Sequence, residues 1–102
     1  GQILGGMVQG LATVLYEDMR FDEGGKMLNP NFTDYLLPTF LDAPHVEVRW
    51  IEEPERWGPL GAKGIGEPPT ISAGPAVAAA IRDAIGRHLY RVPVLPQDIV
   101  GL

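Results

Sequence analysis

One carboxylate in this sequence, Glu67, stands where an acidic side chain could do chemistry. It follows a glycine-rich run, Gly58–Gly66, with four glycines in nine residues, and it precedes Pro68 and Pro69. Glycines let a loop backbone approach another group closely, whereas a proline favours an extended conformation for the residue before it. Lys63 lies four residues upstream of the carboxylate. The arrangement suits a general base presented from a loop, and it equally suits a tight solvated connection.

Other kinds of site find little support in the sequence. The order of the loop glycines at 61, 64 and 66 reverses the dinucleotide fingerprint, and Lys63 is followed by glycine rather than by the Ser or Thr of a P-loop. The chain has no cysteine, and neither His45 nor His88 has a second ligand at metal spacing. We therefore predict no nucleotide site, no thiolate chemistry and no metal held directly by side chains.

Composition indicates an ordinary globular chain of modest size. Its 102 residues are 45% hydrophobic, and 8 Lys plus Arg against 13 Asp plus Glu give a net charge of −5. This acidic balance provides no electrostatic footprint for nucleic acid or for an anionic membrane, and no apolar run is long enough to span a bilayer. Residues 1–102 are therefore interpreted as a single partial domain, with neither nucleic acid nor membrane among its partners.

The first positioning element is a helix predicted over about residues 2–18. Apolar residues recur there at helical spacing: Leu4, Val8, Leu11 and Leu15. The helix contains three glycines, each of which costs about 1 kcal/mol relative to alanine. A second stripe consists of Gln2, Gly6, Gln9 and Thr13. Either this stripe faces an uncharged, heteroatom-rich ring, or it faces water while the glycines admit a neighbouring helix.

The remaining elements complete a predicted α+β fold. A second helix is expected over about residues 72–86, capped by Thr70 or Ser72, with Pro75 in its first turn and Gly86 at its end. Adjacent glycines at 24 and 25 predict a short β-hairpin between Met19 and Leu28. Alternating apolar and charged residues at 45–51 predict one further strand, and the tail after residue 88 is expected to be mostly extended.

Four co-linear motifs resemble segments of one known family. They are the stretches Gly1–Leu11, Asn29–Thr39, Gly61–Pro69 (Gly-Ala-Lys-Gly-Ile-Gly-Glu-Pro-Pro) and Ala73–Ile81. Together they make essentially the whole chain similar to the C-terminal part of the molybdopterin-binding large subunit of molybdenum hydroxylases, the xanthine dehydrogenase and aldehyde oxidase family. The two main helices, the hairpin and the strand would then belong to a larger molybdopterin-binding domain.

The resemblance implies a role for each site residue. Glu67 matches the family's general base, which takes a proton from the metal-bound hydroxyl when an aldehyde or N-heterocycle is oxidised with water-derived oxygen. Gln2 matches an amide contact to the pterin. Lys63, Gly64 and Gly66 belong to the matching loop and are expected to contact the same cofactor. No protein side chain is expected to ligate the metal.

The resemblance also implies partners that lie outside this sequence. These are the rest of the molybdenum-binding subunit, iron–sulfur clusters and FAD carried on further subunits or domains, and a small aldehyde or heterocycle substrate. The isolated chain is expected to be inactive, and the cytoplasm is the expected location. Two alternatives remain open: an independent module that binds a small polar ligand, and a structural packing or interface segment without activity.

Overall fold

The computed structural model describes residues 1–101, in which two helices form the centre of the molecule. Helix α1 spans Gln2–Leu15, and helix α2 spans Glu67–Ile85. A single 3₁₀ turn at Pro59–Gly61 lies between them, and a short helix α3 spans Pro96–Val100 near the end of the chain. Both long helices were predicted. None of the helices described is long and apolar enough to cross a membrane.

Small residues let α1 approach the N-terminal half of α2 closely. A Cβ atom on Gly10 would lie only 2.6 Å from the carbonyl oxygen of Thr70 and 2.7 Å from the Cβ of Ala73. On Gly6, a Cβ atom would lie 3.0 Å from the Cβ of Pro69. Both glycines are buried, so they admit the neighbouring helix. Of the two explanations for the glycines of α1, helix packing is the one the structure supports.

Helix α2 begins five residues earlier than predicted. Pro68 and Pro69 lie in its first turn, where backbone N–H groups have no partner within the helix, so prolines sacrifice no hydrogen bond there. Glu67 is consequently the first helical residue rather than part of an extended loop. Pro75 lies inside the helix instead of its first turn. At the other end, Gly86 adopts φ 67° and closes the helix as predicted.

The α+β prediction is wrong, because residues 1–101 contain no β-sheet. The predicted hairpin is reduced to one antiparallel bridge between Phe21 and Met27. The Asp22 carboxylate draws the turn inward by accepting hydrogen bonds from the backbone N–H groups of Gly24 and Lys26, both at 2.9 Å. Side-chain bonds of this kind favour a compact loop over a longer ladder.

The predicted strand at residues 45–51 is also absent as a paired strand. Residues 44–55 contain no turn or bend, and Val46 and Val48 are half-buried while Glu47 and Arg49 between them are exposed. The alternation extends only as far as Val48, because Trp50, the next apolar residue of the predicted face, is 71% exposed. A strand also needs a hydrogen-bonding neighbour, and none of the described residues provides one, so the segment runs unpaired across the helices.

The segment after residue 88 is hydrogen-bonded to the helices, and the prediction that it is mostly extended is wrong. The Val94 N–H donates to the Val14 carbonyl at the end of α1 (2.6 Å), and Val94 is buried. In α3, the Asp98 carboxylate accepts from the Leu95 N–H at 2.8 Å and forms an ion pair with Arg91 at 3.0 Å. The side chain of Arg87 donates to the carbonyl groups of Asp98 and Ile99. These bonds stabilise a short helix that sequence reasoning missed.

Candidate functional site

The N-termini of α1 and α2 meet at one end of the helix pair, which brings two of the predicted site residues together. Gln2 is the first residue of α1, and Glu67 is the first residue of α2. A Cβ atom on Gly66 would lie 3.9 Å from Nε2 of Gln2. The Gln2 amide therefore lies beside the residue that directly precedes Glu67 in the chain. Both side chains are exposed.

The start of α2 also supplies a local field. A helix dipole places partial positive charge at the N-terminus of the helix, so the Glu67 carboxylate in the first turn of α2 interacts favourably with it. The site thus combines a neutral amide with one acid at the start of a helix.

Lys63 and Gly64 lie on the neighbouring part of the loop, not at the helix ends. Together with Ile65 they line an open groove whose other wall is the segment Trp50–Pro54. Lys63 and Gly64 are both exposed, and a Cβ atom on Gly64 would meet nothing within 4 Å. This stretch of backbone is therefore open to an approaching group. The groove that it lines includes neither Gln2 nor Glu67.

Ile65 forms a wall between the loop and the helices. Its side chain is half-exposed at 48% and lines a second groove, in which Ile3 and Met7 of α1 lie beside Pro68 of α2. Val48 of the unpaired segment lies in the same groove. The lining is mainly apolar, with charged side chains contributed by Glu47 and Arg49. An apolar surface with a few polar groups is typical of sites for small molecules.

Thr70 is a residue whose role sequence reasoning missed. Its hydroxyl donates to the carbonyl oxygen of Gly6 at 3.0 Å, so it joins the first turns of α2 to α1. The sequence suggested an N-cap because Thr is common there, but the helix starts three residues earlier. The hydrogen bond fixes the relative position of the two helix ends and hence of Gln2 and Glu67.

These residues fit the organic part of a molybdenum cofactor. A pterin ring presents several nitrogen and oxygen atoms, which an exposed amide can bind as donor and as acceptor without a change of charge. Open space at Gly64 allows such a group to approach the loop backbone. Among residues 1–101 no group of three or more His, Cys, Asp or Glu side chains is placed to hold a metal ion.

Comparisons with known proteins agree on one family. A family model described as "Molybdopterin cofactor-binding domain" matches residues 1–44. Subunit gamma of the 6-hydroxypseudooxynicotine dehydrogenase complex of Paenarthrobacter nicotinovorans is 44% identical over 97% of this chain. The molybdenum-binding subunit of xanthine dehydrogenase from Escherichia coli O157:H7 is 37% identical, also over 97% of the chain.

A solved structure extends the agreement to three dimensions. The crystal structure of quinoline 2-oxidoreductase from Pseudomonas putida 86 superposes on 99% of this chain with a TM-score of 0.90 and 36% identity. The chain covers 13% of that structure, and it covers 13% of the length of each of the two relatives above. It thus corresponds to a short part of much longer proteins. The chain belongs to the molybdopterin-binding subunit family of the molybdenum hydroxylases, the group that includes xanthine dehydrogenase and aldehyde oxidoreductase.

Proposed function

We propose that this chain is part of a molybdenum hydroxylase, to which it contributes a general base, Glu67, and a contact to the pterin, Gln2. The observation that supports the proposal is the meeting of the first turns of α1 and α2, which sets Gln2 beside Gly66, the residue before Glu67. These two residues are far apart in sequence and lie in separate motifs. Two residues can contact the same cofactor only if the fold brings their segments close together, as it does here.

The chemistry divides between the cofactor and the chain. When bound, the molybdenum cofactor supplies the two-electron oxidation of the substrate carbon. Glu67 accepts, at a carboxylate oxygen, the proton of the water-derived oxygen that attacks this carbon. A carboxylate is suited to the task because it is ionised near neutral pH and can return the proton to solvent. Glu67 is the first residue of α2, whose first turn is stiffened by Pro68 and Pro69 and bonded to α1 through Thr70. This restricts the position of the Glu67 backbone.

The chain's binding residues would hold the ring system in register with this base. The Gln2 amide donates to and accepts from pterin heteroatoms, while Lys63, Gly64 and Gly66 offer a close backbone surface and one positive charge. Ile65 limits the space beside the ring. Because the bond from Thr70 to Gly6 joins the two helices, the cofactor contact and the base move as one unit.

Substrate and partners are inferred from the relatives. Xanthine and quinoline, which occur in the names of two of them, are N-heterocycles, and a third is an aldehyde oxidoreductase. We infer a small N-heterocycle or aldehyde as the substrate class. One relative is a subunit of a dehydrogenase complex. We infer that iron–sulfur and flavin subunits or domains receive the electrons from this subunit; a cytoplasmic location stays a prediction.

The test compares two glutamates in the complete enzyme. Glu67→Gln keeps the side-chain shape and removes basicity, so turnover per bound molybdenum should fall by at least about 10²–10⁴-fold. Glu23→Gln makes the same chemical change at an exposed position in the turn at residues 23–24 and should leave turnover within about twofold. Equal activity of the two variants would remove Glu67 from catalysis and would leave the chain as a packing segment.

A further inference from the structure

Thr70 contacts α1 at two successive turns of that helix. Its hydroxyl donates to the carbonyl oxygen of Gly6 at 3.0 Å. The carbonyl oxygen of Thr70 lies so close to Gly10 that an added Cβ atom on that glycine would be 2.6 Å away from it. Gly6 and Gly10 are four residues apart and therefore lie on one face of α1. Helix α1 thus holds Thr70 through one polar contact and through close packing.

Gly6 also contacts the rest of the turn that carries Glu67. A Cβ atom on Gly6 would lie 3.0 Å from the Cβ of Pro69, 3.2 Å from the hydroxyl oxygen of Thr70 and 3.4 Å from the carbonyl oxygen of Gly66. Gly66 precedes Glu67 in the chain, whereas Pro69 and Thr70 follow it, and Pro69 is buried. The backbone on both sides of Glu67 therefore rests on the same residue of α1.

Thr70 provides the side-chain hydrogen bond that joins this turn to α1. Ser72, another hydroxyl residue of this part of α2, donates to the Pro68 carbonyl at 3.0 Å, a bond that stays within α2. The Glu67 side chain is exposed, and a Cβ atom on Gly64 in the preceding loop would meet nothing within 4 Å. Because the loop before it is open, Glu67 takes its position from the helical turn that follows it.

We propose that Thr70 is a positioning residue for the reaction, because its hydrogen bond to Gly6 sets the place of Glu67 relative to Gln2. Gln2 lies about one turn before Gly6, so α1 carries both the proposed pterin contact and the acceptor of the Thr70 hydroxyl. The inference rests on the proposed function, since Thr70 acts through Glu67 and does not itself touch the reacting atoms. A misplacement of about 1 Å can lower a rate by about 10²-fold, so the loss of this one bond should be visible in the kinetics.

Removal of the Thr70 hydroxyl in the complete enzyme tests the inference. Thr70→Val keeps the shape of the side chain, Thr70→Ala removes the same hydroxyl with a smaller side chain, and Thr70→Ser keeps the hydroxyl. Single-turnover reduction of the molybdenum centre, normalised to bound molybdenum, should be slower by about five- to fiftyfold in the valine and alanine variants and within about twofold of wild type in the serine variant. A serine variant as slow as the valine variant, or valine and alanine variants at the wild-type rate, would overturn the inference.

Thr13 offers a matched control in the neighbouring helix. Its hydroxyl donates to the Gly10 carbonyl at 2.8 Å, a bond that lies within α1. Thr13→Val therefore makes the same chemical change without removing a bond between the helices, and it should leave the rate per bound molybdenum within about twofold of wild type. Equal losses in Thr13→Val and Thr70→Val would mean that the effect is not specific to the bond between the helices, which also contradicts the inference.

A double-mutant cycle with Glu67→Gln shows whether Thr70 acts through the base. If it does, Thr70→Val should slow the wild type but should change the rate of the Glu67→Gln enzyme by less than about twofold. The same fold-loss in both backgrounds would refute a positioning role and would leave Glu67 as the base. A Glu67→Gln enzyme that reacts at the wild-type rate would instead remove the proposed base, and the role of Thr70 with it.

Discussion

At the scale of single residues, the Gln2 amide is the proposed contact to the pterin. Gln2 is exposed and lies beside Gly66. An amide in this place has little to stabilise within the chain itself, so its replacement should affect what binds there more than it affects folding.

Gln2→Ala in the complete enzyme should lower the molybdenum content and leave the chemistry largely intact at loaded sites. Loss of a hydrogen bond to a buried polar group costs about 1–3 kcal/mol, which weakens cofactor retention by roughly tenfold or more. Turnover per bound molybdenum should stay within about tenfold of wild type. Metal analysis alongside activity measures both quantities. Gln9→Ala makes the same change about two turns further along α1 and serves as the control. Equal molybdenum content in the wild type, Gln2→Ala and Gln9→Ala would mean that the Gln2 side chain faces solvent.

The Asp98 carboxylate gives the tail a pH-dependent attachment. The Leu95 N–H and the guanidinium of Arg91 hold its pKa below the ordinary value of 3.8. Because the pKa is lowered on folding, the bonds of Asp98 stabilise α3 fully above that ordinary value and are lost as the pH falls through the lowered value.

Asp98→Asn should therefore loosen α3 most at neutral pH. Amide exchange of residues 97–100, normalised to intrinsic rates, should be faster in the variant at about pH 7, and the difference should shrink as the pH falls through the lowered pKa of the wild-type carboxyl. A difference that grows in acid would contradict the lowered pKa.

At the scale of elements, the helix pair depends on where glycine replaces a side chain. Gly10 leaves no room for a Cβ atom against Thr70 and Ala73, whereas a Cβ atom on Gly5 meets nothing within 4 Å. Both residues lie within the same helix, so they differ in packing and not in local conformation.

Gly10→Ala and Gly5→Ala should consequently change stability in opposite directions. Overpacking at Gly10 should cost about 1–3 kcal/mol, while helix propensity at Gly5 should contribute up to about 1 kcal/mol in favour of the fold. Urea denaturation of the purified subunit, followed at the transition that includes α1, measures both. Similar effects at the two positions would mean that α1 and α2 do not approach as closely as the structure indicates.

The sequence predicted the helices better than it predicted their surroundings. The spacing of Leu4, Val8, Leu11 and Leu15 is a local signal, and it identified α1. The start of α2 was misplaced because Pro68 and Pro69 were interpreted as loop residues, although a first helical turn accepts prolines without loss. At residues 45–51 the alternation predicted a half-buried strand, which was wrong: Val46 and Val48 are half-buried, but Trp50 is 71% exposed. Pairing is a non-local property that the alternation of side chains does not determine, and no described residue pairs with this segment.

The candidate site was predictable only in part for the same reason. Glu67, Gln2 and Gly66 were identified from motifs, and the structure brings Gln2 beside Gly66. Nothing local to Thr70 indicated that its hydroxyl would reach Gly6, because that contact depends on how two distant helices pack. The roles of Gln2, Lys63, Gly64, Gly66 and Glu67 toward a cofactor stay predictions.

At the scale of the whole molecule, the chain exposes large apolar side chains that a complete domain would cover. Trp57, Phe40, Leu41 and Tyr90 are each at least 87% exposed, and the chain corresponds to 13% of its relatives' length. The remaining cofactor contacts and the electron acceptors would have to come from elsewhere in the enzyme.

The purified chain should therefore retain no molybdenum cofactor and catalyse no dye-linked oxidation of aldehydes or heterocycles. Metal analysis and activity assays on the chain alone provide the measurement, with the complete enzyme prepared in parallel as the positive control. Stoichiometric molybdenum together with turnover would show that residues 1–102 are sufficient for the reaction.

Single-turnover reduction of the molybdenum centre is the sharpest test of Glu67 as the general base. The complete enzyme is mixed with excess substrate across a range of pH, and the rate is normalised to bound molybdenum, so that electron transfer to later acceptors and incomplete loading do not enter. A general base acts only in its deprotonated form, so the wild type should lose rate as the pH falls. Glu67→Gln should bind normal amounts of cofactor and be slower by at least about 10²–10⁴-fold at every pH. A variant within about threefold of wild type, with the same pH profile, would contradict the claim.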